Sequence, residues 1–235
     1  MMKIIVDELP KTAKECPFYT YDVKIENEII GHNCKLLSNT IFCRNVKECK
    51  FLTTKEKPSK IQLSTLKQGE VFKIGEWDFI VLKHTDEGTY IISKDLLLED
   101  ICFGESKDYN ASNLKTVIEK EIQPILVKEI GEDNIIEQTV ELTTVDNQKE
   151  FKDVVCKVRP LTFDEAREFN SLLVNKELSD WWWTLTPWSS EDRGFRYSIT
   201  VVSPCGSIDY YVYNGDRGVR PFCILKSDIF VSRGE

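Results

Sequence analysis

Hydrophobic and polar positions alternate most clearly near the end of the chain. Residues 195–202 and 207–213 each follow the two-residue period of a strand, with a Ser203-Pro204-Cys205-Gly206 turn between them. In the second run Ile208, Tyr210 and Val212 fall on one face, and Asp209, Tyr211 and Tyr213 on the other. The first face is expected to be core. The second, with a carboxylate and two phenols, is expected to point outward. Trp181-Trp182-Trp183 also alternates, placing Trp181 and Trp183 on one face and Trp182 on the opposite one. Upstream, the apolar runs 71–74 and 77–84 around Gly75-Glu76 predict a hairpin. The turn Thr85-Asp86-Glu87-Gly88 leads into a third strand at 89–93, completing a meander.

Helical periodicity is clearest over 110–130. Asn110 or Ser112 caps the start, and Leu114, Val117, Ile118, Ile122 and Ile125 share a face. Pro124 kinks or restarts the helix, and Gly131 ends it. Residues 135–144 and 154–158 read as strands. Thr162-Phe163-Asp164-Glu165 fits a capping box. Its helix should run to about Leu172, with Phe163, Ala166 and Phe169 or Asn170 near the buried side.

Composition changes this picture at one point. The 235 residues are 41% apolar and 11% aromatic, enough for a packed core, and the net charge is −8. Residues 1–60 hold 11 Lys/Arg against 8 Asp/Glu, the remainder 20 against 31. The two parts differ chemically, so we expect a Cys-rich segment over 1–55, a Lys-rich linker with Pro58 over 56–60, and a main domain over 61–235. The acidic balance disfavours nonspecific binding to nucleic acid or to an anionic membrane. No apolar stretch reaches transmembrane length, and acid interrupts the N-terminus too early for a signal peptide, so the expected compartment is the cytoplasm.

The first segment carries Cys16, Cys34, Cys43 and Cys49. Four thiolates on one zinc would staple a segment too short for its own core, and such a closed site would be structural. A reduced or disulfide-paired set, or His32 replacing one cysteine, are the alternatives. Asp7-Glu8-Leu9-Pro10, Cys16-Pro17-Phe18, Cys34-Lys35-Leu36 and Cys49-Lys50-Phe51-Leu52 resemble the pattern of small phage-encoded cysteine-knuckle proteins. Ala13 departs from it, and Cys43 would be the replacement ligand.

The main domain also carries a resemblance. The tryptophan-rich segment, the two short strands and the closing Gly218-Val219-Arg220-Pro221 resemble the bacterial and phage DUF6273 domain, which is similar to the C-type lectin-like fold of formylglycine-generating enzymes and retroelement-diversified proteins. The stretches 66–75, 77–82, 109–114 and 161–166 extend the likeness. It implies an α+β, C-type lectin-like domain of short antiparallel strands and two helices, with at least two of the tryptophans buried and Arg220 structural. It implies a phage or prophage accessory protein that binds a protein, a host or defence protein among the options, or a glycan. It also places the binding face between the tryptophans and Gly-Val-Arg-Pro. On that face Trp188, Arg193, Arg196, Asp209, Tyr211, Tyr213, Asn214, Asp216 and Arg217 are the candidates, residue types that often carry interface energy.

Two further readings differ in kind. A formylglycine-type copper oxidase would need Cys205 and Cys223 as a thiolate pair, although Cys223 stands where a small inward residue is expected. The net-positive N-terminal segment could bind nucleic acid, with a steep dependence on salt. Asp192, Asp209, Asn214 and Asp216 are too scattered to mark a calcium loop. His84, Cys102 and Cys156 read as structural. No phosphate loop, Ser/His/Asp set or zinc-hydrolase motif is present, and two histidines leave little for acid–base chemistry.

Overall fold

The computed structural model describes residues 60–233 and, before them, Thr12, Glu15, Cys16, Phe18 and four strands. The chain divides into two compact units, Met1–Pro58 and Ser59–Glu235. In the first unit β1 (Ile4–Val6) is followed by β2 (Tyr19–Ile25), β3 (Glu28–Cys34) and β4 (Leu52–Thr54). β1 pairs with β4 in parallel, and β2 with β3 in antiparallel fashion.

The second unit is mixed α+β, mostly short strands. It opens with β5 (Lys60–Gln62), β6 (Val71–Ile74), β7 (Trp77–His84) and β8 (Thr89–Ser93), then β9 (Leu98–Cys102). The expected meander forms as β6-β7-β8. A helical stretch follows: α1 (Asn113–Val117), a π turn over Ile118–Ile122, and α2 (Gln123–Ile130). The Ser112 side chain caps α1, and Gly131 ends α2. Pro124 sits in the first turn of α2, directly after the π turn. The buried stripe differs from the expected one. Leu114, Ile118, Ile122 and Leu126 are buried at four-residue intervals, while Ile125 is 42% exposed. The wider π turn rotates the stripe by one position, and Leu126 takes the place expected for Ile125.

The run expected over 135–144 is two strands with different partners, β10 (Ile135–Ile136) on the first sheet and β11 (Gln138–Val140) paired with β12 (Val154–Cys156). After β13 (Val158–Arg159), Thr162 and Glu165 form the expected capping box. The helix breaks at Phe169, giving α3 (Phe163–Glu168) and α4 (Asn170–Leu173), and Phe163 is only half-buried. The C-terminal strands are β14 (Trp182–Pro187), β15 (Ser198–Val202), β16 (Ile208–Val212), β17 (Asp216–Val219), β18 (Phe222–Leu225) and β19 (Phe230–Arg233).

Among the described residues two sheets dominate. Eight strands form the first, in the order β10-β18-β8-β7-β6-β19-β5 with β13 also on β18. Five form the second, in the order β16-β15-β14-β17-β9. The central strands of both are covered on two sides. Phe79 and Val81 of β7 join a larger apolar cluster with Leu114, Ile118, Ile122 and Leu126; Ile80 and Leu82 join a smaller one with Ala166, Phe169 and Leu173. In β14 Trp183 belongs to the larger cluster and Trp182 to the smaller, each fully buried. The expected alternation and burial of these tryptophans therefore hold, and two-sided cover is why the centres of β7 and β14 read as unbroken apolar runs.

Two arginines lock the smaller cluster. Arg220 is fully buried, donating from Nε to Ser93 O (3.1 Å) and from Nη1 to Leu173 O (2.7 Å), with its guanidinium 5.2 Å from the Trp182 ring. Burial lowers its pKa to about 10. Arg159 makes a forked ion pair with Glu165, 2.6 Å on each arm, and stacks 4.4 Å over Phe222. Gly218 packs closely on Leu96: an added Cβ would lie 2.5 Å from Leu96 Cδ1, so a larger residue would need that side chain to shift.

Candidate functional site

β15 and β16 form a hairpin whose turn depends on Gly206, at φ +86°, and on the bond from Gly206 N to Ser203 O (2.9 Å). The register pairs Ile199 with Tyr211, Thr200 with Tyr210, and Val201 with Asp209. Ile199 and Val201 face the larger cluster beside Trp183. Tyr211 and Tyr213 therefore turn inward with them, against the expectation, whereas Asp209 on the same face is exposed as expected. The Tyr211 ring lies 6.2 Å from Trp183, and the Arg217 guanidinium stacks 3.6 Å over it. Tyr213 is also half-buried, 5.6 Å from Tyr197, with its own carbonyl facing the Cys102 thiol.

The opposite face begins as core and ends in the open. α4 meets the hairpin at its turn, where Asn170 Nδ2 donates to Gly206 O (2.7 Å), and Ile208 packs into the smaller cluster there. Farther along the strand Tyr210 and Val212 are 46% and 43% exposed. Tyr210 stands between Trp188 (5.1 Å) and Phe195 (5.7 Å). Tyr197 is 50% exposed, and the Arg196 guanidinium lies 5.5 Å from its ring.

Polar contacts hold the support beside Trp188. Asp146 accepts from Thr144 Oγ1 (2.6 Å) and Ser189 Oγ (2.8 Å) and pairs with Arg193. These hydrogen bonds, that from Thr144 foremost, lower its carboxyl pKa to about 2. Buried Lys107 bridges Glu150 (2.9 Å) and Ser189 O (2.7 Å), and Glu150 in turn accepts from Glu191 N (2.9 Å). The 144–150 and 188–193 loops are thereby clamped together.

Of the residues predicted for this face, Trp188 and Arg196 lie beside exposed tyrosines. Arg193 is spent on the Asp146 clamp. Asp209 is exposed, but its carboxylate accepts from Tyr210 N. Asn214 and Asp216 are exposed in the turn leading to β17 and at its first residue. Arg217 is tied to Asp216 O and Asp180 as well as stacked on Tyr211, a structural position. Tyr210, Val212, Phe195 and Tyr197 were not singled out by sequence reasoning, nor was the clamp. For Tyr210 and Val212 the strand period holds the signal, read with the opposite face inward.

The thiols have unlike surroundings. Cys205 is exposed at the hairpin turn, and hydrogen bonds with Ser203 Oγ (3.1 Å) and Ser207 Oγ (3.5 Å) lower its pKa to about 7. Cys223 is 1% exposed in β18, and burial raises its pKa to about 12. Cys156 is buried and likewise raised, to about 11. His84 is held by Thr89 Oγ1 and Leu66 O, each at 2.8 Å; the carbonyl requires Nε2 to be the donor. In the first unit Cys16 is half-buried and Cys34 ends β3, while Cys43 and Cys49 lie outside the described residues. Among the described residues no group of three or more His, Cys, Asp or Glu is placed to hold a metal ion, and no helix is long and apolar enough to cross a membrane. No family model, no curated protein and no solved structure matches this chain.

Proposed function

We propose that the second unit is a C-type lectin-like recognition module that binds a protein partner without catalysis, through the face around Tyr210. The observation that carries this reading is the placement of half-exposed Tyr210 against Trp188 and Phe195, with Val212 exposed beside it on the strand, on a support clamped by Asp146 and Lys107. Aromatic side chains with few rotatable bonds, preset on a rigid base, lose little entropy on binding and bury much area. The scaffold assignment draws support from the two buried tryptophans and from the tethered Arg220 within Gly-Val-Arg-Pro.

The test is affinity capture from bacterial lysate with the wild-type chain beside Tyr210→Ala/Val212→Ser, together with a glycan array. The proposal expects a protein retained by the wild type and lost by the double variant. Equal recovery of every protein by both chains refutes the face, and wild-type binding to glycans alone assigns the same face to sugar.

A further inference from the structure

β16 is the last strand of its sheet among the described residues. The two ends of the hairpin fix which backbone groups point where. Ser203 N donates to Ser207 O (2.9 Å), and Tyr213 N donates to Tyr197 O (2.8 Å). In an antiparallel ladder alternate pairs exchange both bonds. Asp209 and Tyr211 are therefore bonded to β15, and the amides and carbonyls of Ile208, Tyr210 and Val212 point away from it. Such a row is a template for another strand.

Two of these outward groups are satisfied from within. Asp209 Oδ1 accepts from Tyr210 N at 2.8 Å, and Val212 O accepts from Gly215 N at 3.0 Å. The second bond depends on the tight turn at Gly215, where an added Cβ would lie 2.3 Å from Tyr211 Cε1. Without the Asp209 bond, the edge would be self-complementary. Antiparallel pairing about Tyr210 would set Ile208 of one copy against Val212 of the other, and each Tyr210 beside its counterpart. The side chains brought together are the ones this strand already exposes, Tyr210 and Val212.

We infer that Asp209 is an edge guard: by occupying the central outward amide of β16, its carboxylate keeps that strand from pairing with β16 of a second copy. The inference stands apart from what Tyr210 contacts. It reassigns Asp209 from ligand contact to protection of the edge, a role that needs a side-chain acceptor and not a charge.

The test compares the full-length wild type with Asp209→Ala and Asp209→Asn by sedimentation velocity over rising concentration, with hydrogen–deuterium exchange on the same samples. Asparagine keeps a carbonyl acceptor, and alanine does not. The expected result is a species of twice the wild-type mass for Asp209→Ala, with self-association at least roughly tenfold stronger than wild type and new amide protection over residues 208–212. Asp209→Asn should sediment as wild type. The inference is overturned if Asp209→Ala keeps the wild-type mass at every concentration. It is equally overturned if Asp209→Asn associates as readily as Asp209→Ala, or if the new dimer leaves residues 208–212 unprotected.

Discussion

On the inner face of β16, Tyr211 lies against Trp183 beneath the Arg217 guanidinium; on the outer face, one residue earlier, Tyr210 stands half in solvent between Trp188 and Phe195. The two phenols have the same chemistry and differ in what covers them. The larger cluster continues under the inner face at Tyr211 and Tyr213. On the outer face α4 meets the hairpin at its turn, and the apolar side chains past Ile208 protrude. One strand thus serves as scaffold on one side and presents an aromatic surface on the other.

The strongest way to break this contrast is to empty the inner side. Trp183→Ala should cost about 3–5 kcal/mol in urea unfolding, because the ring is fully buried and its Nε1 donates to Ile101 O (2.7 Å). Tyr211→Ala should cost about 0.5–3 kcal/mol, since it removes a half-buried ring and the surface on which Arg217 stacks. Tyr210→Ala should cost about 1 kcal/mol or less, the range of an exposed aromatic pair. Equal losses for Tyr210→Ala and Tyr211→Ala would mean that the two faces are not different in kind.

Acid sharpens the comparison on the outer side. The folded pKa of Asp146 is depressed to about 2 from an ordinary 3.8. Its contribution to stability is therefore complete above the ordinary value and is lost as pH falls from there towards 2. Wild type should lose more stability than Asp146→Asn across that window, read by thermal unfolding at each pH. Parallel curves would show that the carboxylate does not hold the clamp. The gentlest probe is thiol labelling of the native protein near pH 7.5. Cys205 should react with iodoacetamide, and Cys223 should react only after unfolding. Modification of Cys223 in the folded chain would contradict its burial.

Much of the scaffold was legible in the sequence because local chemistry decided it. Gly75-Glu76 and the 85–88 turn set the meander, Ser112 and the Thr162/Glu165 box set two helix starts, and the strand period separated Trp182 from Trp183. The helical stripe was misread at Ile125 because the periodicity assumed an unbroken α-helix, and the π turn over Ile118–Ile122 changes the residues per turn. The faces of β16 were separated correctly, and Ile208 and Asp209 lie as expected, but the three tyrosines and Val212 were assigned to the wrong sides. Both carry tyrosines, so polarity could not choose between them, and the choice was made by the register to Ile199 and Val201. The clamp joins Lys107, Asp146, Glu150 and Ser189 across distant stretches of chain, and nothing local marks such a network.

The central claim is that the outer face recognises while the inner face supports. Its most direct test is one experiment on Tyr210→Ala and Tyr211→Ala, measuring the urea midpoint and the recovery of captured partner for each. The account predicts that Tyr210→Ala keeps a near wild-type midpoint and loses the partner, while Tyr211→Ala lowers the midpoint and still retains partner in proportion to its folded fraction. Full recovery by Tyr210→Ala, with loss confined to folded Tyr211→Ala, would contradict it.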